Sequence, residues 1–199
     1  MDAMEQRRGL IQRVTRETDI QLTLMIDGSG VAKIDTAVPF LDHMLTLFAV
    51  HGFFDLEIKA TGDIEVDGHH TVEDIGICLG QAFAAALGGK KGINRYGLSY
   101  LPMDETLVRV VVDVSNRPFV HYGVVVPDQK VGTFDTSLAL EFMRAFSQHA
   151  GVTLHIDLLH GENSHHIIEA IFKGLARAMN QATGVNPLVN GVLSSKGML

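Results

Sequence analysis

Apolar positions recur along this chain at two different periods, and the change from one to the other marks out its elements. Partial alternation and β-branched content predict strands over "DIQLTLMI" (19–26), "TLVRVVVDV" (106–114) and "RPFVHYGV" (117–124). Helical spacing takes over at positions 72, 75, 79, 82, 83 and 86, and again at 168, 171, 172, 175 and 179. Gly28-Ser29-Gly30 reads as a hairpin turn between strands. Beyond Pro187 the ending "SSKGML" predicts no helix.

Laid over itself, the chain repeats. His69 and His70 fall on His165 and His166, and the apolar spacing of the segments that follow also agrees. Further upstream "DLEI" (55–58) matches "TLHI" (153–156), and "HMLTLFAVHG" falls on "EFMRAFSQHA". That alignment sets His43 on Glu141, Phe48 on Phe146 and His51 on His149. "ETDIQLTLMID" near the start of the first copy resembles "ETLVRVVVD" near the start of the second. The expectation is one domain over residues 1–199, made of two repeats (about 7–92 and 95–184) and a C-terminal tail. Each repeat combines a β-sheet with two helices, which makes an α+β protein with its halves related by a pseudo-twofold axis.

Both repeats write HHxxE at the first turn of a helix. Residues i and i+4 face the same way, so His69 with Glu73, and His165 with Glu169, can each chelate one ion. Adjacent residues diverge by about 100°, so His70 and His166 point elsewhere. If the two helices face one another across the pseudo-axis, each gives its pair to one ion and its other histidine to the second ion. His43 and Glu141 then complete the two sites. Imidazoles and carboxylates without thiolate suit Mn, Fe, Co, Ni or Zn. Asp74 reads as a helix cap through T-x-x-D, with Asp67 and Gly68 making the turn before it. Cys78, the lone cysteine, reads as a core residue. His51 and His149 fit either packing or a polar pocket wall, and His121, His155 and His160 fit core or surface roles.

Charge narrows the partners. Sixteen Lys and Arg against 23 Asp and Glu give a net charge of −7. No broad positive field draws in nucleic acid or anionic lipid, so an anion must meet a local pocket. Arg95, Arg117 and the hydroxyls and lysine of "SSKG" (Ser195, Lys196) have the donor types that phosphate recognition uses. No apolar run approaches the roughly 20 residues needed to span a bilayer, and "MDAMEQRR" lacks the hydrophobic stretch of a leader, so a cytoplasmic protein is expected.

In this order, "FLDHML", "DGHHTVED", "PMDE", "SNRPF" and "NSHHIIEAIFK" resemble the imidazoleglycerol-phosphate dehydratase family of histidine biosynthesis, over nearly the whole chain. The resemblance implies a fold of the ribosomal protein S5 domain 2 type, manganese (Mn2+) in two sites per subunit, and a homo-oligomer of about 24 subunits. It also implies dehydration of D-erythro-imidazole-glycerol phosphate to imidazole-acetol phosphate and water. Glu17 and Lys173 then lie at active-site positions, with Glu169 near both metal and substrate. Arg95, Arg117, Ser195 and Lys196 grip the phosphate, assisted by His51. Some relatives carry histidine where this chain has Glu141. Two other readings share the ligands: a metal-dependent hydrolase, and a metal-storage or structural shell, which needs no anion pocket.

Overall fold

In a computed structural model that describes residues 7–199, the chain folds as two copies of one unit. The leader reading of "MDAMEQRR" falls, over residues 1–6, outside the described residues. The first unit contains β1 (Arg8–Val14), β2 (Thr18–Met25), β3 (Ala32–Asp35), α1 (Pro39–Gly52), β4 (Asp55–Gly62) and α2 (His69–Leu87). The second contains β5 (Tyr96–Met103), β6 (Thr106–Asp113), β7 (Phe119–Gly123), the short pair β8 (Lys130–Val131) and β9 (Phe134–Asp135), α3 (Leu138–Ala150), β10 (Thr153–His160) and α4 (Ser164–Thr183). Strand order is β1-β2-β4-β3 in one sheet and β5-β6-β10-β7 in the other. In both, the first three strands run antiparallel and the last lies parallel to its neighbour. This is the duplicated α+β architecture that the repeat predicts.

Period-2 patterning gives each sheet one dry face: Ile20, Leu22 and Leu24 from β2, and Val108, Val110 and Val112 from β6, are all buried. α2 covers the first sheet and α4 the second. α2 also packs on α3, and α1 on α4, so the four helices lie between the sheets. Fully buried rings of Phe48, Phe54, Phe83, Phe142, Phe146 and Phe172 fill the middle, and Phe83 meets Phe146 edge-on across the two halves. Burying each such ring stabilises the fold by about 1.5–3 kcal/mol. Close packing of helix on sheet explains a glycine pair. A Cβ on Gly9 of β1 would lie 2.2 Å from the Ala82 carbonyl oxygen of α2, and one on Gly97 of β5 would lie 1.8 Å from that of Ala178 in α4.

Gly28-Ser29-Gly30 is a turn but not a hairpin. The chain crosses over β4 there and enters β3 parallel to it, while the amides of Ser29 and Val31 donate to Asp55 Oδ1 (2.8 and 3.0 Å). The actual hairpin is the tight connection at 15–17, between β1 and β2. Cys78 is fully buried, and burial pushes its thiol up to about 11, as suits an inert core residue. No helix among the described residues is long and apolar enough to cross a membrane.

Candidate metal centre and anion pocket

Two well-defined helix starts set up the most compact polar cluster. Asn163 caps α4 by accepting from the amides of His165 and His166 (2.9 and 3.3 Å), which fixes the first turn. Pro39 opens α1, and Asp42 in its first turn accepts from both the amide and the hydroxyl of Thr36 (2.9 and 2.6 Å). Because α1 lies on α4, His43 meets the first turn of α4. Its Nε2 is 3.4 Å from Glu169 Oε2, and His165 Nε2 is 3.1 Å from the same oxygen. One ligand atom from each of the three residues falls within 4.8 Å of the others.

Glu169 is only 5% exposed, and its other oxygen, Oε1, accepts a hydrogen bond from Lys173 one turn on. Burial pushes this carboxyl up. The bond and charge of Lys173, with help from His165 and His43, outweigh that and hold it below the ordinary carboxylate value. Two imidazole nitrogens converging on one ionised oxygen suit a divalent cation, and the lysine reserves the second oxygen.

The matching place in the first half is looser. Asp67 Oδ1 accepts from the His69 amide (2.7 Å) at the start of α2, and His69 Nε2 lies 3.7 Å from Glu73 Oε2, both side chains nearly half exposed. Glu141 projects from α3, the helix packed on α2, and accepts from Arg144 (2.7 Å). The two HHxxE helices therefore do not face each other as packing partners. Each pairs instead with the helix that carries His43 or Glu141.

His70 and His166 do diverge from their neighbours, and each is held through Nδ1 by a carboxylate. For His70 it is Asp63 (3.0 Å), for His166 it is Glu105 (2.7 Å). Those bonds raise both imidazole pKa values, and Glu105 in turn falls well below the usual carboxylate range. Pinning Nδ1 leaves Nε2 pointing away, which is how carboxylates orient metal-binding imidazoles. Glu17 Oε1 lies 3.8 Å from His70 Nε2, and Asp104 Oδ2 3.9 Å from His166 Nε2. Sequence reasoning missed Asp63 and left Glu105 unassigned, although "PMDE" displays it.

Asp74 is not a cap. The helix begins at His69, so Asp74 lies past the free amides of the first turn and faces inward. It is buried, accepts from Thr18 Oγ1 (2.5 Å) and pairs with Arg13 (2.9 Å).

A second polar site lies at the far end of α4. Arg95, Ser115, Asn116, Arg117, Ser195 and Lys196 line a cavity of about 370 Å³ closed by the chain end. Arg95 is a buried strut rather than a free donor. It forks onto Asp113 (2.7 and 3.1 Å) and donates to the Leu193 carbonyl (2.7 Å), tying the tail down. Arg117 is largely exposed, and Thr153 Oγ1 holds its carbonyl (2.7 Å). The buried Ser115 hydroxyl has no hydrogen-bond partner among the described residues. The Arg95 amide bonds to the Ala182 carbonyl in the last turn of α4 (2.8 Å). At 1.5 Å rise per residue, pocket and imidazole cluster are therefore roughly 20 Å apart along the helix. His51, half-buried at the end of α1, has its pKa lowered by burial and then by the charges of Lys173 and Arg177. Arg177, absent from the sequence-based set, approaches the His51 carbonyl (3.5 Å) and stacks on Phe53.

Fold and site together define an α+β enzyme for a small-molecule substrate, with a group able to hold a metal ion. The family profile of imidazoleglycerol-phosphate dehydratase matches residues 36–179. The chain belongs to the imidazoleglycerol-phosphate dehydratase family. It is 63% identical to that dehydratase from Desulfotalea psychrophila over 194 residues, covering 97% of this chain and 96% of the relative. To the one from Shouchella clausii it is 58% identical, over 95% of this chain and 97% of the relative. The crystal structure of the Staphylococcus aureus dehydratase superposes with a TM-score of 0.82 at 45% identity, over 90% of this chain and 99% of that one. The structure of IGPD from Pyrococcus furiosus gives 0.82 at 40% identity, over 95% and 100%. The chain is a hydro-lyase, and its reaction is a dehydration in histidine biosynthesis.

Proposed function

We propose that this chain removes water from D-erythro-imidazole-glycerol phosphate to give imidazole-acetol phosphate, using two manganese ions per subunit. The observation that carries the reading is the convergence of His43, His165 and Glu169, with Lys173 bonded to the same carboxylate. One ion belongs with that trio. The second belongs with His69, Glu73 and Glu141, whose helices α2 and α3 pack together. His70 and His166 point Nε2 away from these sets and supply ligands across a boundary between copies. When bound, the divalent ions act as Lewis acids on the substrate's imidazole, favouring the electron-rich ring that expels the neighbouring hydroxyl.

The protein's own groups handle the protons. Lys173, hydrogen-bonded to Glu169, donates to the departing hydroxyl, so that it leaves as water. The Glu17 carboxylate makes no hydrogen bond or ion pair among the described residues except the one to His70, which leaves it free to take the proton from the carbon next to the phosphate-bearing one. The resulting enol becomes the ketone. Arg117, Ser195 and Lys196 grip the phosphate, Arg95 holds the tail in place, and His51 lines the path between pocket and metal.

A separation of roughly 20 Å along α4 is too long for one small substrate to bridge within one copy. Pocket and cluster of a single site therefore come from different subunits. The outer face of the second sheet, where Tyr96, Leu98, Tyr100 and Phe119 are each about half exposed, offers apolar surface for such assembly into a large homo-oligomer. Incubation with imidazole glycerol phosphate and manganese should give a product lighter by one water with its phosphate retained. Release of inorganic phosphate instead would point to the hydrolase.

A further inference from the structure

The hairpin that carries Glu17 is held from beneath by a polar network with no counterpart in the second half. Thr15 Oγ1 accepts from the amides of Glu17 (3.0 Å) and Thr18 (2.9 Å), closing the turn on itself. Thr18 Oγ1 donates to Asp74 Oδ2 (2.5 Å), and Arg13, on the other strand, pairs with Asp74 Oδ1 (2.9 Å). Asp74 thus bonds to both strands of the hairpin, one on each side of Glu17. It does so from α2, the helix that also presents His70. The Glu17 carbonyl accepts from the Asp63 amide (3.1 Å), and Asp63 is the residue that holds His70.

Asp74 is one of only two acidic residues classed as buried among the described residues, and the other is Glu169. A buried carboxylate is retained at a cost unless hydrogen bonds and an opposite charge satisfy it, as Thr18 and Arg13 do here. An apolar pair would serve packing alone. In the second repeat the aligned position is Ala170, and the hairpin there keeps its place differently: Glu105, itself exposed, turns its side chain to the loop before α4 and accepts from the amides of Glu162 and Asn163 (3.3 and 2.9 Å). A glutamate used that way is not available to a substrate. Glu17 stays outward because Asp74 does the anchoring instead.

We propose that Asp74 is a positioning residue for the reaction, fixing the Arg13–Thr18 hairpin so that Glu17 stands at a set distance from His70. The inference rests on the proton-transfer role of Glu17 proposed above. Misplacement of a reacting group by about 1 Å is enough to lower a rate by about a hundredfold.

Thr18→Val removes the hydroxyl with little change of volume, and Thr18→Ser restores it. The expected result is a fall in kcat of about ten- to a hundredfold for T18V, with KM and metal content near wild type, and recovery in T18S. In a Glu17→Gln background the same T18V change should have almost no further effect, because the group it positions is already gone. Amide exchange over residues 15–18 should quicken in T18V but not in T18S. If T18V lowers the rate equally in both backgrounds, or leaves kcat unchanged while E17Q is slow, Asp74 is a structural residue only. Should E17Q itself turn over normally, the role of Glu17 fails first, and the positioning proposal falls with it. Asp74→Asn adds a direct probe, but the Thr18 series decides the matter even if that variant folds poorly.

Discussion

The two halves share a fold down to the strand order of their sheets, yet they use equivalent positions for opposite purposes. Glu17 and Glu105 both sit in the hairpin that opens a half. The Glu105 carboxylate is bonded to His166 and to two backbone amides, whereas the Glu17 carboxylate is exposed and only approaches His70, at 3.8 Å. Glu73 and Glu169 both close an i,i+4 pair with histidine. Glu169 is buried and bonded to Lys173, while Glu73 is nearly half exposed and has Ile77 where Glu169 has Lys173. Asp55 and Thr153 both anchor the loop before the parallel strand, but only the loop held by Thr153 carries an arginine, Arg117, which lines the tail cavity. Duplication supplies two HHxxE frames. Divergence of single side chains then gives one half an exposed glutamate and the other a lysine beside the buried glutamate and a cavity lined by Arg117, Ser195 and Lys196.

The largest expected effect separates the two hairpin glutamates. Glu17→Gln should lower kcat by about 10²–10⁴, the range for loss of one general acid or base, with thermal stability unchanged. Glu105→Gln should reverse the pattern, costing stability and metal occupancy more than turnover. Equal kinetic losses from both would mean that the halves are functionally symmetric. Next in size, Asp63→Asn should weaken manganese binding by about 10–100-fold, because it frees the ring that Nδ1 pins. Titration of metal into the chelated protein reads this directly.

Deleting residues 194–199 should raise KM by about tenfold and slow turnover while metal content stays the same. The charge-assisted bonds lost are worth about 1.5–3 kcal/mol each, and part of that is offset by the entropy of ordering the tail. Unchanged kinetics would remove the tail from the site. The smallest effect concerns Asp55, whose carboxyl is held below its ordinary value by the amides of Ser29 and Val31. Its stabilising contribution is present above the unfolded value of about 3.9 and is lost as pH falls through the lower folded value. The gap in Tm between wild type and Asp55→Asn should therefore be widest near neutral pH and close below about pH 4. Thr153→Val, with no charge to titrate, should show a gap independent of pH.

Much of this was legible in the chain because repeats, periodicity and i,i+4 spacing are local signals. They correctly marked α2, α4 and the His165–Glu169 pair. What they do not encode is which helix meets which. α1 lies on α4 rather than on α2, because the four helices are sandwiched between two sheets and each must cover its own, and spacing within a helix says nothing of that choice. Asp74 misled for a related reason. T-x-x-D fits a capping box, yet the helix starts two residues earlier and turns that carboxylate toward Arg13 and Thr18, residues more than 50 positions away. Glu105 was hidden likewise, 61 positions from His166, and Asp63 was hidden because the loop between β4 and α2, not helical spacing, brings it to His70 seven residues on. Gly28-Ser29-Gly30 announced a turn correctly but could not show that the chain would pass over β4.

The central claim is that one site joins the imidazole cluster of one copy to the tail pocket of another. Co-expression of two inactive variants tests it most directly. Glu169→Gln lacks the cluster carboxylate but keeps its tail, and deletion of 194–199 lacks the tail but keeps its cluster. Assembled together, they should form some sites with intact parts from both, and dehydration should return to a substantial fraction of wild type. A mixed assembly no more active than either variant alone would contradict the account and place the complete site within a single subunit.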